Sequence, residues 1–335
     1  MMNKSTQMLF MLIMMISVPI SISSNSWFVT WMGMEINLMS FIPLMVEKKN
    51  MLTKEASLTY FLIQTIASML FIISIIMMTF KDLNYSYTGE IMLLSSLMMK
   101  SGMSPFHFWL PKTMEGLNWN KCMILMTWQK IIPLMMMSNS IKMNTITLMA
   151  MLLSVAVGAI GGLNQTSLRK LMAYSSITNN GWMMSAMLMS EKTWIMYFIM
   201  YSIMTIVMTS TMNFYKNFHM NQLISMNETP MMKFLIMTNM LSISGLPPMM
   251  GFMPKWIVLQ TNMTMNQFML MNIMVMMTLI TVFYYLRMMF STMMLSSYEI
   301  KWKTNMTFKN KKTLLMLLTM TTTGLLMVTM MTMLN

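Results

Sequence analysis

The sequence predicts an all-α polytopic membrane protein with about eleven transmembrane helices, and two observations support this. Of its 335 residues, 56% are hydrophobic and only 9% are charged, whereas a soluble domain has roughly 25% charged residues. Apolar stretches of about 20 residues, long enough to cross a hydrocarbon core of ~30 Å, recur from end to end. We therefore expect a single membrane domain, 1–335, and no separate soluble domain.

Hydropathy, together with the Gly, Pro and Asn residues between apolar stretches, sets the bounds of each span. The predicted spans are 5–24, 27–46, 56–80, 90–109, 121–139, 145–163, 168–189, 193–214, 231–262, 266–290 and 313–333. The first stretch lacks the basic start and small-residue cleavage site of a signal peptide, so we expect it to be retained. The ninth span is too long for one crossing and contains SGLPPMMGFMPKW, so we expect it to be broken.

The charge distribution predicts the orientation of these spans. When the loops are assigned to alternate sides of the membrane, most of the 22 basic residues fall on the side of the N-terminus. Such an excess marks the positive-inside face, so we expect the N-terminus there. The net charge of +13 could also indicate nucleic-acid binding. Because no basic groove is interleaved with aromatic residues, we expect no nucleic-acid partner.

Composition excludes several kinds of chemistry. The single cysteine, Cys122, allows neither an internal disulfide nor a cysteine-ligated cluster. Two histidines, His107 and His219, cannot by themselves form a haem or metal site. The sequence contains no plausible catalytic triad, metal motif or phosphate-binding loop. We therefore expect this chain itself to bind no cofactor and no metal.

When the basic residues at the ends of spans are counted with the loops, three lysines belong to no loop: Lys100, Lys130 and Lys255. Lys100 lies about ten residues, or ~15 Å, from either end of its span, and Lys130 only slightly less. A charge near the bilayer centre costs at least ~2.5–3.5 kcal/mol, so we expect these amines to function beside hydrated cavities. A structural ion pair is the alternative. Lys255 lies nearer one end of its span, where snorkelling is the alternative.

Two further titratable residues accompany the lysines. Glu35 is the only acid well inside a predicted span, and it is either functional or a fixed partner that holds a lysine in place. His107 titrates near neutrality and could pass protons between Lys100 and a loop. The alternative is a histidine packed against Phe106 and Trp109.

Prolines predict breaks in the same spans. Pro105 cannot donate to the carbonyl of residue 101, and Pro133 cannot donate to that of residue 129, each next to a lysine. Pro247 and Pro248 free two carbonyls of the ninth span in the same way. Irregular backbone at membrane depth must be satisfied by protein or water, so the breaks favour hydrated cavities beside the lysines.

The two breaks resemble each other. KSGMSPF (100–106) and SISGLPPM (242–249) share Ser-Gly followed by proline, and they lie in the fourth and ninth spans, which cross in opposite directions. Such a pair is typical of inverted-topology repeats with discontinuous helices; chance similarity is the alternative. We predict repeats at about 5–139 and 145–290, followed by a loop and a last helix over 291–335.

Five segments, in order along the chain, resemble one known family. They are NSWFVTWMGMEINLMSFIPLM (25–45), KSGMSPFHFWLPKTMEG (100–116), TWQKIIPL (127–134), LRKLMAYSSITNNGWM (168–183) and GLPPMMGFMPKW (245–256). The family is that of the antiporter-like membrane subunits of mitochondrial NADH–ubiquinone oxidoreductase, respiratory complex I. This resemblance implies two inverted five-helix repeats, each with a broken helix. Bacterial-type members have fourteen helices, and this chain would begin at the fourth.

The resemblance also implies site residues and a mechanism. Glu35 and Lys100 match the Glu–Lys pair of the first repeat, Lys130 the connecting lysine, and Lys255 the lysine on the broken helix of the second repeat. Protons would pass from Lys100 through Lys130 to Lys255, driven by changes in the Glu35–Lys100 separation.

Further expectations concern location, partners and cofactors. The N-terminus would face the matrix of the mitochondrial inner membrane. Neighbours would be subunits 4 and 4L, the lateral helix of subunit 5, and phospholipids. NADH, FMN, iron–sulfur clusters and ubiquinone would bind elsewhere in the complex. An autonomous cation/proton antiporter and a passive structural subunit are the alternatives, although the first lacks a second membrane-embedded acid for a coupling ion.

Overall fold

The computed structural model describes residues 4–47, 50–79, 83–226, 230–247, 249–295, 318–319 and 322. Within these residues it contains fourteen helices and no β-strand. The helices are α1 (Lys4–Ile22), α2 (Trp27–Met45), α3 (Met51–Thr79), α4 (Leu83–Ser101), α5 (Trp109–Gly116), α6 (Trp119–Met126), α7 (Trp128–Ser140), α8 (Thr145–Gly162), α9 (Leu168–Met189), α10 (Glu191–Tyr215), α11 (Met220–Ile224), α12 (Pro230–Ser244), α13 (Phe252–Thr264) and α14 (Phe268–Leu295). The all-α class is therefore confirmed.

Six of the described helices are long and apolar enough to cross a bilayer: α1, α2, α3, α8, α10 and α14. Their outer faces are apolar, as α3 illustrates. The exposed side chains of α3 include Leu58, Leu62, Ile66 and Met69, whereas its buried face includes Tyr60, Gln64 and Ser68. Polar groups facing inward and apolar groups facing outward suit a lipid environment. The predicted last span, 313–333, lies almost entirely outside the described residues, so the number eleven stays a prediction.

Three predicted spans are interrupted. The span predicted at 90–109 begins earlier, at Leu83, and α4 ends at Ser101, so Lys100 lies at a helix end rather than in mid-helix. The continuous helix predicted over 121–139 is wrong, because α6 ends before Thr127 and α7 begins after it. At that point the N–H of Lys130 bonds to the Thr127 carbonyl, only three residues back. The predicted break in 231–262 lies between α12 and α13.

Both major breaks begin with the same helix cap. Gly102 follows α4 with a φ of 73°, and Gly245 follows α12 with a φ of 82°. After each glycine, the next N–H reaches back to a carbonyl five residues earlier, Met103 to Met98 at 3.0 Å and Leu246 to Leu241 at 3.5 Å. This is the Schellman arrangement, which favours glycine because of its left-handed backbone. The Ser-Gly similarity in the sequence therefore corresponds to the same local structure.

The chain divides into two compact units between Leu153 and Ser154, within α8. In the first unit α1 packs on α2, α3 packs against α4 and α5, and α4 contacts α7. In the second unit α9 packs on α10, and α12 and α13 contact α10 and α14. Trp119, Phe41 and Phe71 are among the largest buried side chains of the first unit; Trp182 and Tyr201 are among those of the second.

Candidate functional site

Lys100 is buried at the C-terminal end of α4. It is only 8% exposed. Its Nζ donates to the Sδ of Met34 at 3.3 Å and lies 5.6 Å from the centre of the Phe71 ring. A thioether is a weak acceptor, so the Lys100 amine is bound more weakly than it would be by a carboxylate.

Glu35 lies near this amine without pairing with it. The two side chains interact electrostatically, but no ion pair joins them. Glu35 is half-buried, and its Oε1 is buried with no hydrogen-bond partner among the described residues. The predicted acid and amine therefore lie in the same part of the first unit without forming an ion pair.

Uncharged polar side chains connect the surroundings of Lys100 with α7. Gln129, the neighbour of Lys130, donates from Nε2 to the Oδ1 of Asn37 at 3.1 Å and accepts at Oε1 from the hydroxyl of Tyr60 at 3.3 Å. Gln64 donates to the backbone carbonyl of Lys100 at 3.3 Å. Sequence reasoning missed these amides and the tyrosine. Asn37 and Gln129 could have been found because each lies inside an apolar span within two residues of a charged one. Tyr60 and Gln64 are polar residues one helical turn apart within another apolar span.

This network surrounds a small cavity of about 20 Å³. A cavity of that size is large enough for about one water molecule. Its lining residues are Met34, Asn37, Leu38, Tyr60, Gln64, Lys100, Gln129, Ile132 and Pro133. Lys130 itself is 2% exposed, in the first turn of α7. The carbonyl of Gln129 receives no helical bond from Pro133, so irregular backbone and polar side chains meet at this cavity.

His107 and Pro105 lie in the connection between α4 and α5. His107 is 7% exposed, and its Nδ1 lies 3.3 Å from the carbonyl oxygen of Pro105. Its ring contacts that of Phe108, with the centroids 4.2 Å apart. The indole of Trp109 donates to the Met99 carbonyl at 3.1 Å. A proton-relay role for His107 stays a prediction.

In the second unit, Lys255 turns back towards the end of α12. It is 6% exposed, and its Nζ donates to the carbonyl of Ser244, the last residue of α12, at 2.7 Å. The ammonium lies 5.8 Å from the centre of the Trp182 ring. A Cβ on Gly245 would come within 2.8 Å of the Lys255 side chain, so a glycine at this position leaves room for that side chain. Snorkelling to a membrane surface does not describe this geometry.

Two prolines of the ninth span, Pro247 and Pro248, were predicted to break it. Pro247 lies in the turn between α12 and α13, and Pro248 lies outside the described residues.

On α9, the buried amide of Asn179 accepts from the Tyr197 hydroxyl at 2.9 Å and donates to the Ser175 carbonyl. These polar groups of the second unit were also missed from the sequence.

A membrane-spanning helical protein with two glycine-capped breaks, each beside a buried lysine, has the architecture of an antiporter-like membrane subunit. The family model described as NADH:quinone oxidoreductase/Mrp antiporter, transmembrane, matches residues 24–281. The chain belongs to this family and, within it, to the NADH-ubiquinone oxidoreductase chain 2 proteins. The resemblance seen in the sequence is thereby confirmed.

Relatives and solved structures support this membership. The chain is 46% identical over 337 residues to NADH-ubiquinone oxidoreductase chain 2 of Aedes aegypti, covering 98% of each chain. It is 44% identical over 316 residues to the Anopheles gambiae protein of the same name, covering 92% of each. A chain of respiratory complex I from Thermus thermophilus, solved with bound aureothin, matches with a TM-score of 0.74 at 18% identity, covering 87% of this chain and 76% of that one. This last likeness shows a shared fold.

Proposed function

We propose that this chain is a membrane-arm subunit of the proton-pumping NADH:ubiquinone oxidoreductase and that it moves protons through its buried amines. Membership of the chain 2 family supports the assignment to that enzyme. One observation supports the proton path: Lys100, Lys130 and Lys255 are all less than a tenth exposed within a membrane protein. A fourth buried lysine, Lys233, lies in the first turn of α12 and bonds to the Ile224 carbonyl before that helix. A purely structural subunit would not be expected to retain the other three well inside the predicted spans, given the cost of each.

The Glu35–Lys100 pair supplies the switch. Moving one charge across ~100 mV requires about 2.3 kcal/mol. Two unit charges at about 4 Å attract each other by ~4 kcal/mol at an effective dielectric constant of about 20. Closing the pair therefore favours the ammonium, and opening it to the separated arrangement favours release of the proton, by more than the transfer needs.

The proton then leaves Lys100 through the cavity beside Gln129. That cavity is lined by Lys100 and by Gln129, the residue before Lys130, and it has room for about one water, which supports a path from Lys100 towards α7. From Lys130 the proton continues to Lys255 in the second unit. His107 offers a side branch between Lys100 and the loop that follows α4.

The proposal extends to topology and surroundings. Ten of the eleven spans form two inverted repeats, about 5–139 and 145–290, and a loop with the eleventh helix follows over 291–335. The matching glycine caps at the two breaks support this repeat. The chain lies in the mitochondrial inner membrane with its N-terminus in the matrix. Its neighbours are subunits 4 and 4L, the lateral helix of subunit 5, and phospholipids; NADH, FMN, iron–sulfur clusters and ubiquinone bind to other subunits.

Replacing single lysines in the assembled oxidoreductase tests the path. In proteoliposomes, Lys100→Met and Lys130→Met should lower the number of protons moved per NADH oxidised while electron transfer continues. Lys121→Met is the matched control, because this lysine pairs with Glu47 at 2.6 Å near the surface; its pumping should be unchanged. If pumping per electron survives both buried replacements, the proton-path assignment is wrong and the subunit is structural.

A second measurement separates the proposal from an autonomous antiporter. The chain alone, reconstituted into vesicles, should not exchange Na⁺ or K⁺ for protons. Cation-driven proton movement in those vesicles would support the antiporter instead.

A further inference from the structure

Helix α13 carries a second buried polar side chain on the face of Lys255. Lys255, Val258 and Asn262 follow one another at the spacing of a single helix face, and all three are buried. Asn262 is 1% exposed. It lies two turns beyond Lys255, or ~10 Å along the axis, on the side away from the break. Because α13 packs against α9, α10 and α14, this face points into the second unit.

The amide of Asn262 has no hydrogen-bond partner among the described residues, at either Nδ2 or Oδ1. Buried polar groups in native proteins are almost always satisfied by protein or by water. The side chain does not cap its helix, since the end of α13 is closed by the backbone carbonyl of Asn262, which accepts from the N–H groups of Met265 and Gln267. The side chain is therefore left for a ligand that both donates and accepts.

A second unpartnered donor lies beside the same lysine. The indole Nε1 of Trp182 is buried and has no partner within the described part of the chain, and the Trp182 ring faces the ammonium of Lys255. The amine itself donates to the carbonyl of Ser244 at the break. Unpartnered polar groups thus lie near Lys255, at Trp182, and two turns further along α13, at Asn262. Water is the ligand with matching chemistry, since it is small, neutral, and both donor and acceptor.

We propose that Asn262 binds one water molecule of a short chain of waters along which the proton leaves Lys255 for the membrane face at which α13 ends. In the first step an N–H bond of the ammonium breaks and an O–H bond forms on the water nearest to Lys255. The positive charge leaves as hydronium, and Lys255 is left as a neutral amine that can still donate to the Ser244 carbonyl. Asn262 is a positioning residue, because its amide orients the water and carries no proton. The inference rests on the function proposed above for Lys255.

The test compares two amide-to-leucine changes on one helix. In the assembled oxidoreductase in proteoliposomes, Asn262→Leu should lower the protons moved per NADH oxidised to the level of Lys255→Met, with electron transfer retained. Gln260→Leu removes an exposed amide two residues away and should pump normally. Asn262→Ser, which keeps a polar group and leaves room for water, should restore pumping. Pumping by Asn262→Leu equal to that of Gln260→Leu would overturn the proposal.

The outcomes also distinguish a failure of the water site from a failure of the proposed role of Lys255. If Lys255→Met pumps normally, the assignment of Lys255 fails and the water site loses its role with it. If Lys255→Met is defective while Asn262→Leu pumps normally, only the water site fails. Should Asn262→Leu not assemble, a high-resolution density map of the unaltered complex decides. Water within hydrogen-bond distance of the Asn262 amide supports the proposal, and an amide bonded directly to protein overturns it.

Discussion

Gly251, in the turn between α12 and α13, allows the sharpest steric prediction. A Cβ built on Gly251 would lie 1.7 Å from the carbonyl oxygen of Ser242, and real Cβ atoms essentially never come closer than 3.0 Å to such an atom. Gly251→Ala must therefore shift the turn by about 1.3 Å, the difference between these two distances. The φ of Gly251 is −70°, ordinary for any residue, so the cost is steric and of order ~1–3 kcal/mol.

A shift of that size disturbs the contact that positions Lys255. Its Nζ lies 2.7 Å from the Ser244 carbonyl, and a further ~1 Å exceeds the usual hydrogen-bond limit of about 3.2 Å. We expect Gly251→Ala to lower both the protons moved per NADH oxidised and the temperature at which the assembled enzyme inactivates. Gly89→Ala is the control, since the nearest atoms to its added Cβ, the Met78 Cγ at 3.0 Å and the Met78 nitrogen and Ser74 oxygen at 3.1 Å, lie no closer than that limit. Equal pumping and equal inactivation temperatures for the two variants would refute this reasoning.

Two further replacements address side-chain contacts of the first unit. Gln129→Leu removes the bonds to Asn37 and Tyr60, which at ~0.6 kcal/mol each for interhelical bonds in membranes should leave assembly intact. Pumping assays should nevertheless show a loss, because the cavity beside Lys100 loses the amide nearest to Lys130 in sequence. Glu47→Gln breaks the ion pair with Lys121. Such a half-exposed pair contributes less than ~1 kcal/mol, so thermal inactivation at two salt concentrations should show a small change at most, with pumping unaltered.

The spans that could be predicted well depend on composition and on strong stop signals. The bounds of α9, Leu168–Met189, coincide with the prediction. The start of α4 was missed because its first turns, LNYSYTGE, are polar, and hydropathy excludes them. Its end was missed because Gly102 caps the helix three residues before Pro105, so the glycine terminates α4 where the prolines had been expected to.

The candidate site was predictable only in its charged part. Lys100 and Lys255 stand out because a charge within an apolar stretch is costly wherever the helix packs. Asn37, Gln129 and Asn262 carry no such signal, since an amide in a span costs less and its role depends on which helix faces meet. The contacts between helix faces are set by tertiary packing, which no single stretch of sequence encodes.

The positions of the two lysines relative to helix ends support the proposal that these amines exchange protons although they are buried. Lys100 is the penultimate residue of α4, and the amine of Lys255 binds the last carbonyl of α12. A helix C-terminus carries about half a negative charge and stabilises a cation by ~0.3–1 kcal/mol, up to ~2 when partly buried. Breaking a buried ion pair, by contrast, costs ~3–5 kcal/mol, which would add to the ~2.3 kcal/mol that moving one charge across ~100 mV requires. An amine stabilised by a helix end therefore releases its proton at a lower cost than a permanently paired one.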